Sequence, residues 1–599
     1  MKHDEYTHQV KTHETLLHKL ESTSNTIGYV KLIMVLLLAV MVYFLFAWGL
    51  PLGLGVITAL WLVALIVLWV YHHRLHQKID YSRGIIAINM RHLARINGQW
   101  TSFSDIGEEF VDREHPYGGD LDIVGPKSFF QFINTTNTWY GRQALAQDLL
   151  APDFSNDDIR LRQKAVHELG QDIVYSNDME HSFSKIGIGH KFDEKLGEHG
   201  GYIKSKAAQI TVLYLPMLTL ITLVLVAMFA VDFMMLAISI VVMVQGVIWL
   251  ATVPKTLGYL APISRLPYKL GAYSTAIDKI LGKKFESRKL TEIQHRLAVD
   301  DLSAANALKE LSSIANKVNL RHNTLLWFAA NVLLQWDSWC AIMFEKWLHK
   351  YAHSAQGWFL AIGEFESLLS LSNLPNVLSN TCLPTISGGK GVTASAMGHP
   401  LIPSYMDEST QKGTHRVDND ISITDEILII SGSNMSGKTT FMRTVGINLV
   451  LARAGSYVCA NKMQFSPLKI MTSMRVSDDL SQGLSTFYAE LKRIKGIIAL
   501  AEENPQMIFL IDEIFRGTNS VDRLSGARTV LARLHELGVV GVITTHDLEL
   551  CDIADLHTRV DNYSFSEEYA GGQIKFDYKL RKGRSTTTNA RFLMEMIGI

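Results

Sequence analysis

Two long stretches of the chain hold apolar residues with almost no polar interruption. The first runs from Leu32 to Val70 and is broken only by Trp48-Gly49-Leu50-Pro51-Leu52-Gly53; the second runs from Ile210 to Val253 and divides near Asp232. A helix rises about 1.5 Å per residue and the hydrocarbon core of a bilayer is about 30 Å thick, so about 20 apolar residues span it. Each stretch is long enough for two passes. The first has a Gly/Pro turn at its middle, and the second has Asp232 there, where the carboxylate escapes the roughly 2.5–3.5 kcal/mol it would cost at mid-membrane. The pattern predicts four transmembrane helices in two hairpins, over 31–71 and 209–253. The first run follows the polar segment 1–30, unlike the apolar region of a cleaved signal, which lies close to the start. Lys31, Arg74, Lys78, Lys204, Lys206, Lys255 and Arg265 flank the spans on one side and neither turn carries a cation, which places the larger segments in the cytoplasm.

A further apolar run, Leu325 to Phe344, carries Asn331, Gln335 and Asp337 at helical intervals. That polar stripe suits packing against protein rather than lipid, so a core helix is expected there. The shorter apolar runs differ in kind. Ile427–Ile430, Met507–Ile511 and Val542–Thr545 are bounded by polar or glycine residues and match fully buried strands. The chain thus divides into a cytoplasmic N-terminal tail (1–30), hairpin one (31–71), a helical part (72–208), hairpin two (209–253), a second helical part (254–397) and a C-terminal α/β domain (398–599).

Composition changes this picture little. Hydrophobic residues make up 48% of the 599 positions, an excess that the two runs account for. With 57 basic against 58 acidic residues there is no global cationic field of the kind that marks a nucleic-acid binder. Cys340, Cys382, Cys459 and Cys551 lie far apart with no C-x-x-C spacing, which excludes a disulfide framework and a structural zinc site and fits reduced thiols.

The chemistry sits at the ends of the short strands. Gly432, Gly437, Lys438 and Thr439 satisfy G-x-x-x-x-G-K-[ST] directly after a buried strand, the context a phosphate-binding loop requires. Glycines let backbone N–H groups turn around phosphates, the helix from Lys438 aims its positive end at them, Lys438 reaches the outer phosphates and Thr439 offers a hydroxyl to Mg²⁺. Asp512-Glu513 ends the second strand: Asp512 is expected in the magnesium shell and Glu513 as the group that orients or deprotonates the attacking water. His546 ends the third strand, where it can sense the γ-phosphate. The predicted ligands are therefore ATP and Mg²⁺.

The residues between these elements carry a resemblance. Asp478-Asp479-Leu480-Ser481-Gln482-Gly483-Leu484-Ser485-Thr486-Phe487-Tyr488-Ala489-Glu490 resembles the signature segment of MutS-family ATPases, a branch of the ABC class. Ser431 to Lys438, with Asn434-Met435, resembles their N-M-x-G-K loop, and Phe515-Arg516-Gly517-Thr518-Asn519-Ser520 their R-G-T segment. Asp120-Leu121-Asp122-Ile123, Thr136 to Arg142 and Arg162 to Val166 are similar to the opening of the family's helical core. The resemblance implies an ABC-type P-loop ATPase domain joined to a helical core and lever. It also implies a homodimer in which two ATPase domains pair head to tail, with Asn434 and Thr440 at the nucleotide and Ser485 and Thr486 completing the partner's phosphate site. DNA is the partner it implies, in mismatch repair or recombination.

Departures from the family pattern are as telling. Mismatch-recognising members carry an N-terminal Phe-x-Glu wedge; hairpin one stands in that place, and Phe192-Asp193-Glu194 matches the letters inside the helical core, where accident explains it. Hairpin two falls where the family's DNA clamp is expected, so lipid is expected to replace DNA contacts. After Tyr578 to Gly583 the closing segment has Ser585-Thr586-Thr587-Thr588-Asn589 in place of a serine-rich pattern, with no assembly extension, so pairing is expected to rest on the ATPase faces. Arg160, Arg162, Lys164, Lys283, Lys284, Arg288 and Lys289 alternate with acids and match a solvated helix face better than a DNA patch. A membrane-bound ATPase machine that does not bind DNA is the alternative.

Overall fold

The computed structural model describes the chain except residues 1, 48–51, 188–201, most of 203–231, 265, 299–302, 404–415, 476–485, 516–519, 571–572 and 586–599. Helices α1 (His3–Ala47) and α2 (Leu52–Ile96) pack side by side, each 45 residues long. Their contacts give an antiparallel register: Trp61 Nε1 donates to the Met34 carbonyl at 3.0 Å, Ser24 Oγ meets His72 Nε2 at 2.9 Å, and Arg83 pairs with Glu21 at 2.6 Å. Residues 3–30 are thus the lower half of α1, and the apolar run is its upper half.

The base of this hairpin is pinned to a helical body. Tyr6 stacks on His92 with ring centroids 4.8 Å apart, His92 Nε2 lies 3.4 Å from the buried Glu180, and Arg95 donates to the carbonyls of Phe132 and Asn134 at 2.7 and 2.8 Å. The body comprises α3 (Phe129–Ile133), α4 (Trp139–Leu150), α5 (Asn156–Gln171), α6 (Ile173–Ser184), α7 (Asp232–Ser264), α8 (Pro267–Gly282), α9 (Arg288–Leu297), α10 (Ala304–Val318), α11 (Thr324–Leu334) and α12 (Trp336–Ser372). Capping residues explain several starts: the side chains of Ser128, Thr138, Ser155, Asp172, Ser287 and Ser303 each accept a backbone N–H of the following turn.

Helix α12, 37 residues long, is the spine. It crosses α4 closely because both helices offer glycine at the contact: a Cβ on Gly363 would meet the Tyr140 carbonyl oxygen at 2.6 Å, and one on Gly141 would meet the Glu366 carboxylate at 2.4 Å. Thr138 Oγ1 and, at 2.7 Å, Asn137 N donate to that carboxylate, which is buried. The threonine–glycine pattern of 136–141 therefore serves a helix crossing built round one buried acid. Burial pushes the Glu366 carboxyl up to about 7, against the opposing pull of these hydrogen bonds.

Among the described residues three helices are long and apolar enough to cross a membrane: α1, α2 and the Ser239–Ser264 part of α7. Four spans were expected; the first arm of hairpin two, 210–231, lies almost wholly outside the described residues. The expected core helix over Leu325–Phe344 needs correction. Gln335 adopts the left-handed conformation (φ 52°) and splits the run into α11 and α12, and α11 leaves Leu325, Leu326 and Phe328 exposed.

The C-terminal domain holds two sheets. Strands β1 (Thr385–Ile386), β2 (Val392–Met397), β3 (Asn419–Ile423) and β5 (Lys462–Phe465) form a small sheet in the order β1-β5-β2-β3. Strands β4 (Ile427–Ser431), β6 (Lys469–Ser473), β7 (Met507–Asp512), β8 (Val540–Thr545), β9 (Val560–Ala570) and β10 (Gln573–Lys582) form the larger one, ordered β10-β9-β4-β8-β7-β6. Every pairing in it is parallel except that of β10 with β9. All residues of β4, β7 and β8 are buried, as a parallel sheet covered on both faces requires. The covering helices include α13 (Lys438–Arg453), α14 (Thr486–Glu503) and α15 (Ser520–Glu536).

Candidate nucleotide site

Parallel register brings the predicted residues together. Ser431 pairs with Thr545, and Asp512 with Thr544, so the carboxyl ends of β4, β8 and β7 lie side by side. Ligands bind at such an edge in open α/β sheets. The loop after β4 turns on two glycines with positive φ, Gly432 at 151° and Gly437 at 103°. At Gly432 a Cβ would meet the Phe565 carbonyl at 2.9 Å, so the loop lies against β9 where no other residue fits.

Lys438 opens α13 and folds its ammonium back to the carbonyls of Gly432 and Ser433, both at 2.8 Å, with His546 Nε2 at 3.4 Å. Thr439 Oγ1 donates to Asp512 Oδ2 at 2.9 Å, and Thr544 Oγ1 to Asp512 Oδ1 at 2.5 Å. The hydroxyl of Thr439 and the carboxylate of Asp512 are hard oxygen ligands that converge on one point. Magnesium is held by one or two protein oxygens with phosphate and water completing its shell, and this donor set fits it. Among the described residues no group of three or more His, Cys, Asp or Glu could hold a metal by itself.

Glu513 follows Asp512 with φ 51°, and Phe515 has φ 61°, so the chain after β7 turns through a conformation unfavourable to side chains. Three contacts hold it: Glu513 N reaches both the carbonyl and Oγ1 of Thr544 at 3.2 Å, and Phe515 N donates to the Glu490 carboxylate on α14. Glu513 Oε1 meets His546 Nε2 at 2.6 Å. The strand-end acid and the strand-end histidine are therefore one hydrogen-bonded pair. Ser485 and the side chain of Thr486 lie outside the described residues, as do most of the signature segment, Arg516–Asn519 and Phe192–Glu194. The backbone of Thr486 begins α14.

A cavity of about 300 Å³ opens beside the loop, lined by Asn434, Lys438, Thr439, Thr440 and Glu513 and also by Met397, His399, Arg416, Phe565 and Tyr578. Motif reading missed this second group. Tyr578 sits at a bulge between Phe576 and Leu580, pinned by Asn419, which donates to the Tyr578 carbonyl at 2.9 Å and accepts Leu580 N at 2.8 Å. The bulge and the φ of 54° at Tyr578 break the strand alternation along Phe576-Asp577-Tyr578-Lys579-Leu580, so the sequence pattern does not show that the ring meets the loop. Burial, together with the charges of Arg443 and Arg416, holds the His399 imidazole down to about 4, so the cavity wall carries it neutral.

The site is tied to the helical body through Asp120 and Asp122. Asp120 accepts Thr472 Oγ1 at 2.6 Å, Arg475 N at 2.9 Å and Met474 N at 3.1 Å at the end of β6. Asp122 pairs with Arg475 at 2.5 Å and with Arg443, on the phosphate-loop helix, at 3.0 Å. Leu121 between them is buried against Gly446 of the same helix.

A glycine loop opening a helix, a hydroxyl–carboxylate pair and a second acid at the ends of parallel strands define a P-loop nucleotide-binding domain. Comparison with known proteins narrows the class. Residues 428–597 match the family model of MutS domain V. The chain is 29% identical over 282 residues to DNA mismatch repair protein MutS 2 of Haloarcula marismortui, covering 44% of this chain and 29% of that protein. It is 31% identical over 261 residues to DNA mismatch repair protein MutS of Shouchella clausii, covering 43% and 29%, and 32% identical over 207 residues to MutS 2 of Halobacterium salinarum, covering 34% and 23%. The C-terminal region of the chain is therefore a MutS domain V, and the match spans less than a third of the length of these relatives.

Proposed function

We propose that the protein is a membrane-anchored MutS-type ATPase that hydrolyses ATP between two copies of the chain and acts on DNA in a repair- or recombination-related step. The observation that carries the ATPase is the convergence of Thr439, Asp512, Lys438 and Glu513 on one loop mouth. In this reading Lys438 leaves its loop carbonyls for the outer phosphates of ATP, and backbone N–H groups from Asn434 to Thr440 cradle them. Magnesium bound by Thr439 and Asp512 would neutralise phosphate charge. Glu513 releases His546 to take the proton of the attacking water, while His546 turns its ring N–H toward the γ-phosphate. Ser485 and Thr486 of a second copy complete the site, so bound ATP clamps the pair and hydrolysis loosens it. Helices α1, α2 and α7, with the segment before α7, are the anchors.

DNA handling rests on the relatives, which are DNA mismatch repair proteins by name. A specific observation favours the second reading, an ATP-driven membrane machine that leaves DNA alone. Five of the seven basic residues singled out in the sequence are paired with acids in place: Arg160 with Asp157, Arg162 with Asp148, Lys283 with Asp172, Arg288 with Glu292 and Lys289 with Glu364. Salt dependence separates the two, because neutralising phosphates makes affinity fall steeply with ionic strength. The DNA reading expects the detergent-solubilised full chain to bind duplex, mismatched or branched DNA at low salt and to respond to nucleotide. Absence of binding to all of these at low salt leaves the second reading standing.

A further inference from the structure

Helix α11 plays no part in the nucleotide site, and it wears its apolar side chains outward. Leu325 is 84% exposed, Leu326 56% and Phe328 54%, on a helix of eleven residues without a charge. Contiguous apolar surface of this kind marks an interaction site.

Three observations say what covers it. The face is continuous with a candidate membrane span: Trp249 of α7 packs edge-on against the rings of Trp327 and Phe328, with centroids 5.4 and 5.5 Å away, and Val247 and Leu250 of α7 are exposed beside it. Asn331 of α11 and Gln335 of its turn point inward. Asn331 Nδ2 donates to the Trp327 carbonyl at 2.9 Å, Asn331 Oδ1 accepts Asp337 N at 2.9 Å, and Gln335 Nε2 donates to the Gln245 carbonyl of α7 at 2.7 Å. Finally, the helix is bordered as membrane-surface elements are. The exposed His322 and the cap Asn323 precede it, Arg321 before them is held by the buried Asp337 at 3.4 Å, and the indoles of Trp327 and Trp336 bond to Asp337 and to the Lys317 carbonyl, both at 2.9 Å, an aromatic fringe of the interfacial type.

We infer that α11 is a further membrane contact of this chain: it lies in the cytoplasmic leaflet beside α7, with Leu325, Leu326 and Phe328 among the acyl chains and the exposed His322 at the headgroups. Eleven residues rise only about 16 Å, about half the hydrocarbon thickness, so the helix enters one leaflet and does not cross. The sharp left-handed residue Gln335 then returns the chain to the spine α12, so that lipid is touched by the same helix pair that carries Glu366 and packs on α4. The inference rests on the membrane-anchored reading above.

Depth-dependent quenching tests it on the full chain in vesicles of mixed phosphatidylcholine and phosphatidylglycerol. A bimane fluorophore is placed on Leu326→Cys and, in a separate protein, on Leu36→Cys in hairpin one, with the identically treated unmutated chain as background. The expected result is loss of Leu326→Cys emission to a nitroxide on a shallow acyl-chain carbon, with little loss to aqueous iodide, and loss of Leu36→Cys emission to a deep nitroxide. Quenching of the Leu326→Cys probe by iodide instead, with the hairpin probe still quenched by lipid, overturns the inference and leaves the anchoring intact. Shielding of the Leu326→Cys probe from both quenchers also overturns it, because a protein surface or a second copy then covers the face. If the Leu36→Cys probe escapes lipid quenching as well, the anchoring itself fails.

Discussion

The strands of the large sheet and the upper halves of α1 and α2 are built from nearly the same residues, and they end on opposite sides of the protein surface. Ile427, Leu428, Ile429 and Ile430 are wholly buried between helices, whereas Leu32, Ile33, Leu36, Val63 and Val67 are all more than half exposed. Apolar content does not separate the two cases; run length and cover do. Five or six apolar residues ending in glycine or a carboxylate make a strand that needs helices on both faces. Longer apolar runs, bordered by lysine and histidine, make helices long and apolar enough to cross a membrane, whose outer faces stay exposed. The polar groups follow suit: in the sheet they gather at strand ends, where Asp512, Glu513 and His546 meet, and in the hairpin they withdraw to the lower half.

The contrast can be broken at three points. The largest effect belongs to Glu513→Gln, which removes the proposed base while leaving the loop and Lys438 in place. Phosphate release should fall by about 10²- to 10⁴-fold with nucleotide affinity retained, read by steady-state turnover alongside equilibrium binding, and unchanged turnover would remove Glu513 from the chemistry. Next comes Leu36→Arg, in the middle of an exposed apolar run, at about 3 kcal/mol against insertion. Less protein should survive alkaline extraction in the membrane pellet, and what remains should hydrolyse ATP normally. If the variant instead loses ATPase and structure together, Leu36 belongs to a protein core and the contrast collapses.

A smaller effect is expected at Glu366. Burial raises the folded carboxyl from its usual 4.5 to about 7, so the folded chain binds the extra proton between those values. Stability from this group is present below about pH 4.5 and is lost as pH rises through about 7, by on the order of 3 kcal/mol. Glu366→Gln should flatten that slope, with the melting midpoint measured against pH at each half unit; a slope unchanged from the parent would show that the carboxyl titrates elsewhere.

Much of the nucleotide site was legible because its residues are local: Gly432 to Thr440 is one loop, and Asp512-Glu513 and His546 each end a strand that apolar runs already mark. Its far wall was not, since His399 follows β2 of the small sheet while Phe565 and Tyr578 lie on β9 and β10 of the large one, and their facing depends on how the two sheets meet. The hairpin was legible by length alone, but the break in the run from Leu325 to Phe344 was not. Asn331, Gln335 and Asp337 do turn toward protein, as the polar stripe suggested, yet the stripe cannot show that Gln335 reverses the backbone and frees the first half of the run. Asp120 and Asp122 were legible as part of a resemblance to a helical core; their grip on β6 and on the phosphate-loop helix depends on pairing across more than 300 residues.

The unbroken length of α1 has a mechanical consequence. Tyr6 and Ala47 belong to one rigid rod of 45 residues, about 68 Å from end to end, with Tyr6 clamped on His92 at the bottom. A tilt of only about 5° at that clamp sweeps the far tip sideways by about 6 Å, more than the rise of a full helical turn. Motion too slight to notice where the rod is seated is thereby magnified at the far end of the apolar half.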